Sequence, residues 1–193
     1  MYSLPTSVQI GQVSFNIRNQ GDYRVILDCF QALNDDELTK EEKIFNCLFI
    51  FYEDFYDLDD LPKDSETLNQ CVLEMFKFFN QNEELQSNTH DVRLLDWDSD
   101  SNLIASAINK VANQEIRSLE YLHWWTFLGY YIAIGECPLS HIVGIRSKIA
   151  NNQKLEDHEK KFKQENPQYF NIDMRSAEQK EADDYIRKLW GEA

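Results

Sequence analysis

Sixteen residues from Leu119 to Ile134, Leu-Glu-Tyr-Leu-His-Trp-Trp-Thr-Phe-Leu-Gly-Tyr-Tyr-Ile-Ala-Ile, constrain the fold of this chain more than any others. Read as a helix, the run is apolar or aromatic on almost every side, so other elements have to enclose it. Neighbouring residues on a helix point about 100° apart, so Trp124 and Trp125 cannot both face one packing partner. Core is the first reading of each, and the face left over asks for another helix or another chain. Upstream, Arg93 to Ile104 sets Asp96, Asp98 and Asp100 ahead of an apolar-periodic stretch, a pattern of side-chain oxygens that cap a helix start.

The rest of the chain is punctuated in the same way. Val8 to Ile17 alternates apolar and polar residues around Gly11-Gln12, which predicts a tight two-stranded hairpin. Helical spacing begins at Asp22, with Val25, Ile26, Cys29, Phe30 and Leu33 on one face, and the acidic segment after Asn34 closes it. Thr39 and Glu42 form a capping box for a helix running to about Tyr56. That helix carries two adjacent apolar stripes, Ile44, Leu48, Phe51 and Phe55 on one line and Phe45, Phe49, Tyr52 and Tyr56 on the next. One packed neighbour cannot cover both, so the second stripe and the outward-facing one of Trp124 and Trp125 are the candidate partner-binding residues.

Asp64 caps a further helix through Leu68, Cys71, Met75 and Phe79, and the polar residues Asn80 to His90 form a connection. Gly135 and Pro138 precede a short helix through Ile142, Ile145 and Ile149. From Asn151 the chain turns polar and charge-mixed, with a weak helix around Leu155 to Gln164, a break at Pro167 and a last helix capped by Ser176. The expectation is a mainly α protein: a compact helical domain over residues 1–150 with a small N-terminal β-hairpin, and a polar helical C-terminal extension over residues 151–193, separable from that core.

Charge narrows the function. With 34 acidic and 19 basic residues the net charge is -15, which repels nucleic acid and anionic membrane and favours neither as a partner. The acidity is concentrated, since residues 28–61 hold eleven acids and two bases while residues 146–193 hold ten of each. Cys29, Cys47, Cys71 and Cys137 are widely spaced and mostly among apolar residues, which reads as small buried hydrophobes in a reducing cytosol. No apolar stretch reaches the length of a membrane span and no leader pattern opens the chain, so a soluble, unexported protein is expected.

Catalytic and metal motifs are missing. Asp96, Asp98 and Asp100 alternate like the first ligands of a calcium loop, but Ser101 and Ala107 stand where that loop needs Gly and Glu. Cys137 and His141 are one helical turn apart without two further ligands nearby, and His123 has no nucleophile motif beside it. There is no glycine-rich phosphate loop, nucleophile elbow or paired His-Glu zinc motif. No enzyme activity and no cofactor is expected.

Several of these segments, in this order, resemble the bacteriophage gene-product-fifteen family. The N-terminal strand pair leads into Asp22-Tyr23-Arg24, which is similar to that family's helix start. An acidic turn and Leu38-Thr39-Lys40-Glu41-Glu42-Lys43 follow, then the acidic-aromatic segment Leu95 to Ile104 and the distinctive Leu122-His-Trp-Trp-Thr-Phe-Leu run. The resemblance covers roughly residues 8–150, and its C-terminal remainder is matched weakly. It implies a tail assembly chaperone of long-tailed phages, working in the host cell cytoplasm and absent from the mature virion. Such a protein binds the tape measure protein, keeps it soluble and promotes assembly of the tail tube protein around it, with self-association into a homo-oligomer as a further expectation. Two alternatives stay open, each without a specific motif: an acidic helical inhibitor that mimics DNA and binds a basic host protein, and a carboxylate-metal enzyme that uses the acidic loops.

Overall fold

The computed structural model describes residues 3–82 and 94–173. Most of the expected Asn80–His90 connection, Arg93 and the helix expected from Ser176 lie outside the described residues. Mainly helical, these residues follow the order β1 (Ser7–Ile10), β2 (Val13–Asn16), α1 (Tyr23–Leu33), α2 (Lys40–Phe51), α3 (Ser65–Phe79), α4 (Ser101–Ala112), α5 (Trp124–Ile132), α6 (Pro138–Ala150) and α7 (Asp157–Glu165). The strands pair antiparallel with Ile10 opposite Val13, and only Gly11 of the two turn residues has a positive φ, 59°. This is a hairpin whose first turn position needs glycine. No helix among the described residues is long and apolar enough to cross a membrane.

Local chemistry explains the helix starts. Asp22 Oδ1 accepts from Arg24 N at 3.0 Å, Thr39 and Glu42 complete a reciprocal capping box, and Asp64 accepts from Thr67 N at 2.7 Å. Glu42 and Asp64 have their carboxyls held below the usual range by those N–H bonds, so each stays charged at the positive end of its helix. Cys137 caps α6, its thiol accepting from Ser140 N while Ser140 Oγ accepts from Cys137 N. It is therefore a helix cap, whereas the other three cysteines are buried in the manner expected.

Two helices differ from the periodicity reading. The second stops at Phe51 and not near Tyr56, because Tyr52 turns extended and bridges to Ile17. The aromatic helix starts only at Trp124, because Asp22 bridges His123 and Tyr23 N donates to the carbonyl of Leu122 at 2.9 Å. In both cases a tertiary partner takes backbone groups that a longer helix would have used.

The chain forms two compact units, Met1–Gln86 with Ile108–Ala133 and Ser87–Ala107 with Ile134–Ala193. Composition parts the chain at Asn151, but this division does not, since polar bonds in the second unit cross that point. Arg146, fully buried on α6, donates to the carbonyl of Tyr169 at 2.8 Å and forms a two-pronged pair with buried Asp100 at 2.6 and 2.9 Å. Lys148 pairs with Glu159 of α7 at 2.6 Å. Ile104, Leu139, Ile142 and Ile145 form the apolar interior of this unit. Asp100 thus has a guanidinium as its cation, and no group of three His, Cys, Asp or Glu among the described residues could hold a metal ion.

In the first unit an aromatic core joins α1, α2, α3 and α5. Tyr23 stacks on Phe127 with centroids 4.6 Å apart, and Phe51 packs edge-on to Tyr52 and Phe79 at 4.7 and 5.6 Å. Between α1 and α2, Cys29 and Cys47 donate their thiols to each other's carbonyls. Contact with the Cys47 thiol and burial together push Cys29 above its usual pKa, so it remains a protonated core residue.

Candidate partner-binding site

The site is built in the first unit, around the junction of α1 and α5. Asp22 is almost fully buried, and its carboxylate accepts from Arg24 N, from the Arg24 guanidinium at 3.0 Å and from Leu122 N at 2.9 Å. Arg24 in turn donates to the carbonyl of Leu119 at 2.7 Å. Two residues thereby hold the extended segment before α5 against the start of α1. The family-like Asp-Tyr-Arg wording is this clamp: aspartate caps and pairs, tyrosine stacks, arginine reaches across.

His123 caps α5. Its Nδ1 accepts from Trp125 N at 3.0 Å, which leaves Nε2 to donate to the carbonyl of Pro5 at 3.0 Å. Burial depresses its pKa against the opposing pull of Pro5 and Asp22, so the ring is neutral and serves as a structural cap. Gly21 stands directly beside it with φ 78°, and a Cβ there would meet Phe78 Cζ at 2.9 Å and His123 Nε2 at 3.1 Å. Only glycine fits that conformation and that gap.

The paired tryptophans act on one neighbour after all. Trp124 Nε1 donates to the carbonyl of Phe79 and Trp125 Nε1 to that of Phe78, both at 2.9 Å. These carbonyls end α3, where a helix has no internal donors left, so the two indoles cap its C-terminus side by side. Trp124 is fully buried and is corrected from partner candidate to core; Trp125 is half-buried.

Arg18 does the same for α2. Its guanidinium donates to the carbonyls of Phe49, Ile50 and Tyr52 at 2.9, 3.0 and 3.0 Å, placing a positive charge at the negative end of the helix. Tyr52, proposed for the outer stripe, is fully buried, with its hydroxyl donating to the carbonyl of Cys71 at 2.8 Å, and burial pushes its pKa up. It is a core residue. Phe45 and Phe49 are half-buried one turn apart on α2, and Tyr56 lies beyond the helix, 72% exposed, under the Arg18 guanidinium at 5.6 Å. The six candidates do not make one surface, because α2 ends before Tyr56 and the two tryptophans are spent on α3.

Two grooves flank α1. One of about 490 Å³ lies between α1 and α2, floored by Ala32, Leu38, Phe49 and Ile50 and edged by Asp28 and Asp35. The other, about 780 Å³, lies along Arg24, Val25, Glu120 and Tyr121 and also reaches Asp28. Of the sequence-predicted residues only Phe49 lines either one.

The family model described as Bacteriophage Gp15 protein matches residues 1–171. The chain belongs to the Bacteriophage Gp15 protein family. No curated protein and no solved structure matches it. For this member of the family, the Leu-His-Trp-Trp run is accounted for by capping within the fold. The two grooves beside α1 combine open apolar and acidic side chains. Sequence reading missed Arg18, Gly21 and Asp28. Arg18 had a usable signal, a lone cation just ahead of helices whose last carbonyls need donors, but nothing in the sequence tells which helix it reaches.

Proposed function

We propose that this phage protein is a tail assembly chaperone that binds the tape measure protein, keeps it soluble and promotes assembly of the tail tube around it. Membership of the family carries the reading, and the half-exposed apolar residues of α2 beside acidic ones support it. A long helical partner has apolar stripes that aggregate alone, and a groove between two helices is a general receptor for such a stripe. The net charge of -15 would keep the complex dispersed. No catalytic step is needed, and displacement by tube subunits requires only that their shared interface be the larger. The work is done in the host cytoplasm, and the protein leaves before the virion is complete.

The test is co-expression of the tape measure protein with and without this chain. The expected result is a soluble complex that co-purifies, and an insoluble tape measure when the chain is omitted. A tape measure protein that stays soluble alone, or that never co-purifies, overturns the proposal. Capture of a basic host protein in its place would move the function to that of an acidic inhibitor.

A further inference from the structure

We propose that the groove between α1 and α2 receives an amphipathic helix whose apolar side chain rests on Phe49 and Ile50 and whose lysine or arginine pairs with Asp28. The inference rests on the tape measure reading and names which segments of that partner bind, and where.

Asp28 is the residue that both grooves share. Of the other acids lining the two grooves, Asp22 pairs with Arg24, Asp35 accepts from the amide of Glu37, and Glu120 stands in the second groove only. The carboxylate of Asp28, exposed at the lip of both grooves, makes no hydrogen bond or ion pair with any described residue. Its pKa is raised by burial alone, with no compensating cation. An exposed carboxylate at the lip of an apolar groove, with no ion pair of its own, gains from a cation that the partner brings beside it. Phe49 and Ile50 meanwhile expose apolar surface that α1 does not cover, and a helix offering residues three and four apart fits a trough bounded by two helices.

Charge selects this occupant over others. The groove sits within the segment 28–61, where eleven acids face two bases. A second copy of the chain brings the same negative excess, and so does nucleic acid. A basic amphipathic segment is attracted, and it supplies both the apolar wedge and the missing cation.

Overlapping peptides covering the tape measure protein, each long enough for several helical turns, are titrated against the full chain by fluorescence anisotropy. The binding peptides are expected to carry Lys or Arg three or four positions from an apolar stripe. Asp28→Asn and Phe49→Ser should each weaken them about tenfold, and Asp28→Lys more, while Asp59→Asn, at a fully exposed side chain in the turn between α2 and α3, leaves binding unchanged. Exchanging the contacting Lys of the peptide for Glu should restore binding to Asp28→Lys. That rescue decides the matter even if Phe49→Ser unfolds. Peptides that bind but ignore both Asp28 variants, or a charge exchange without rescue, overturn this inference and leave the chaperone reading standing. No binding by any peptide, together with no capture of the whole tape measure protein, overturns both. Loss of self-association in Phe49→Ser by sedimentation, with peptide binding intact, would assign the groove to a second copy and overturn the inference.

Discussion

Replacing Trp124 and Trp125 by Phe, one at a time, separates the two halves of the tryptophan cap. Trp124→Phe removes an indole N–H that reaches the Phe79 carbonyl at 2.9 Å from a residue only 1% exposed. An interior acceptor stripped of its donor costs about 1–3 kcal/mol. The smaller ring also leaves a gap of roughly 40 Å³, worth about 1 kcal/mol at about 24 cal/mol per Å³. Together these give roughly 2–4 kcal/mol. Trp125 makes the same bond to Phe78 at 2.9 Å but is half-buried, so water can replace its N–H. Its substitution should cost about 0.5–1.5 kcal/mol. With a urea dependence of about 2 kcal/mol per M, the unfolding midpoint of Trp124→Phe should fall by about 1–2 M and that of Trp125→Phe by less than about 0.8 M. Circular dichroism at the helical band follows both without relying on tryptophan emission. Equal shifts, or a larger one for Trp125→Phe, would refute capping of α3 as the reason for the paired tryptophans.

Gly21→Ala forces a Cβ into a left-handed position 2.9 Å from Phe78 Cζ and should destabilise the first unit by more than about 1 kcal/mol, measured by the same urea titration. In the second unit, Arg146→Met leaves the Asp100 carboxylate buried without its cation and should cost about 3–5 kcal/mol, whereas adding Asp100→Leu should recover much of the loss; a double variant as unstable as the single one would mean the carbonyl of Tyr169 matters more than the ion pair. Ending the chain at Asn151 removes that carbonyl and Glu159 together, so hydrogen exchange in α6 should rise, against the separability expected from composition. The pH dependence follows from His123, whose folded pKa lies below the ordinary 6.5. Above that value both states are neutral, and as pH falls through it the unfolded chain takes up a proton the folded ring resists, so stability declines toward acid until the folded pKa is reached. His123→Asn, which keeps a cap acceptor, should flatten this decline in urea midpoints taken across that window.

Much of the fold was written locally. Asp22, Thr39 and Asp64 start helices wherever they fall, because a side-chain oxygen needs only the next few N–H groups to act, and the hairpin follows from alternation about Gly11. These features were legible without coordinates because each cap and turn finds its partners within a few residues, and the wording of Asp22-Tyr23-Arg24 and Leu122-His-Trp-Trp could be read as family-like while the bonds those residues make, to Leu119, Leu122, Pro5, Phe78 and Phe79, could not.

Where helices stop, and which aromatic faces solvent, was decided elsewhere in the chain. Tyr52 had every property of an outer-stripe residue until Ile17 and Arg18, more than thirty positions away, drew the end of α2 inward and its hydroxyl found Cys71. Trp125 read as a surplus face until the last carbonyls of α3 came within reach of its indole. Asp28 looked like one acid among many, and only the packing of α1 beside α2 and Tyr121 set it at the lip of two grooves with no ion pair of its own. The sequence by itself determined the starts of α1, α2 and α3, the class and the family, since capping and periodicity are short-range, whereas the start of α5 waited on Asp22 and Tyr23. Helix ends, the buried face of each aromatic and the two grooves beside α1 were decided by tertiary structure, since each depends on a donor, acceptor or wall supplied from a distant segment.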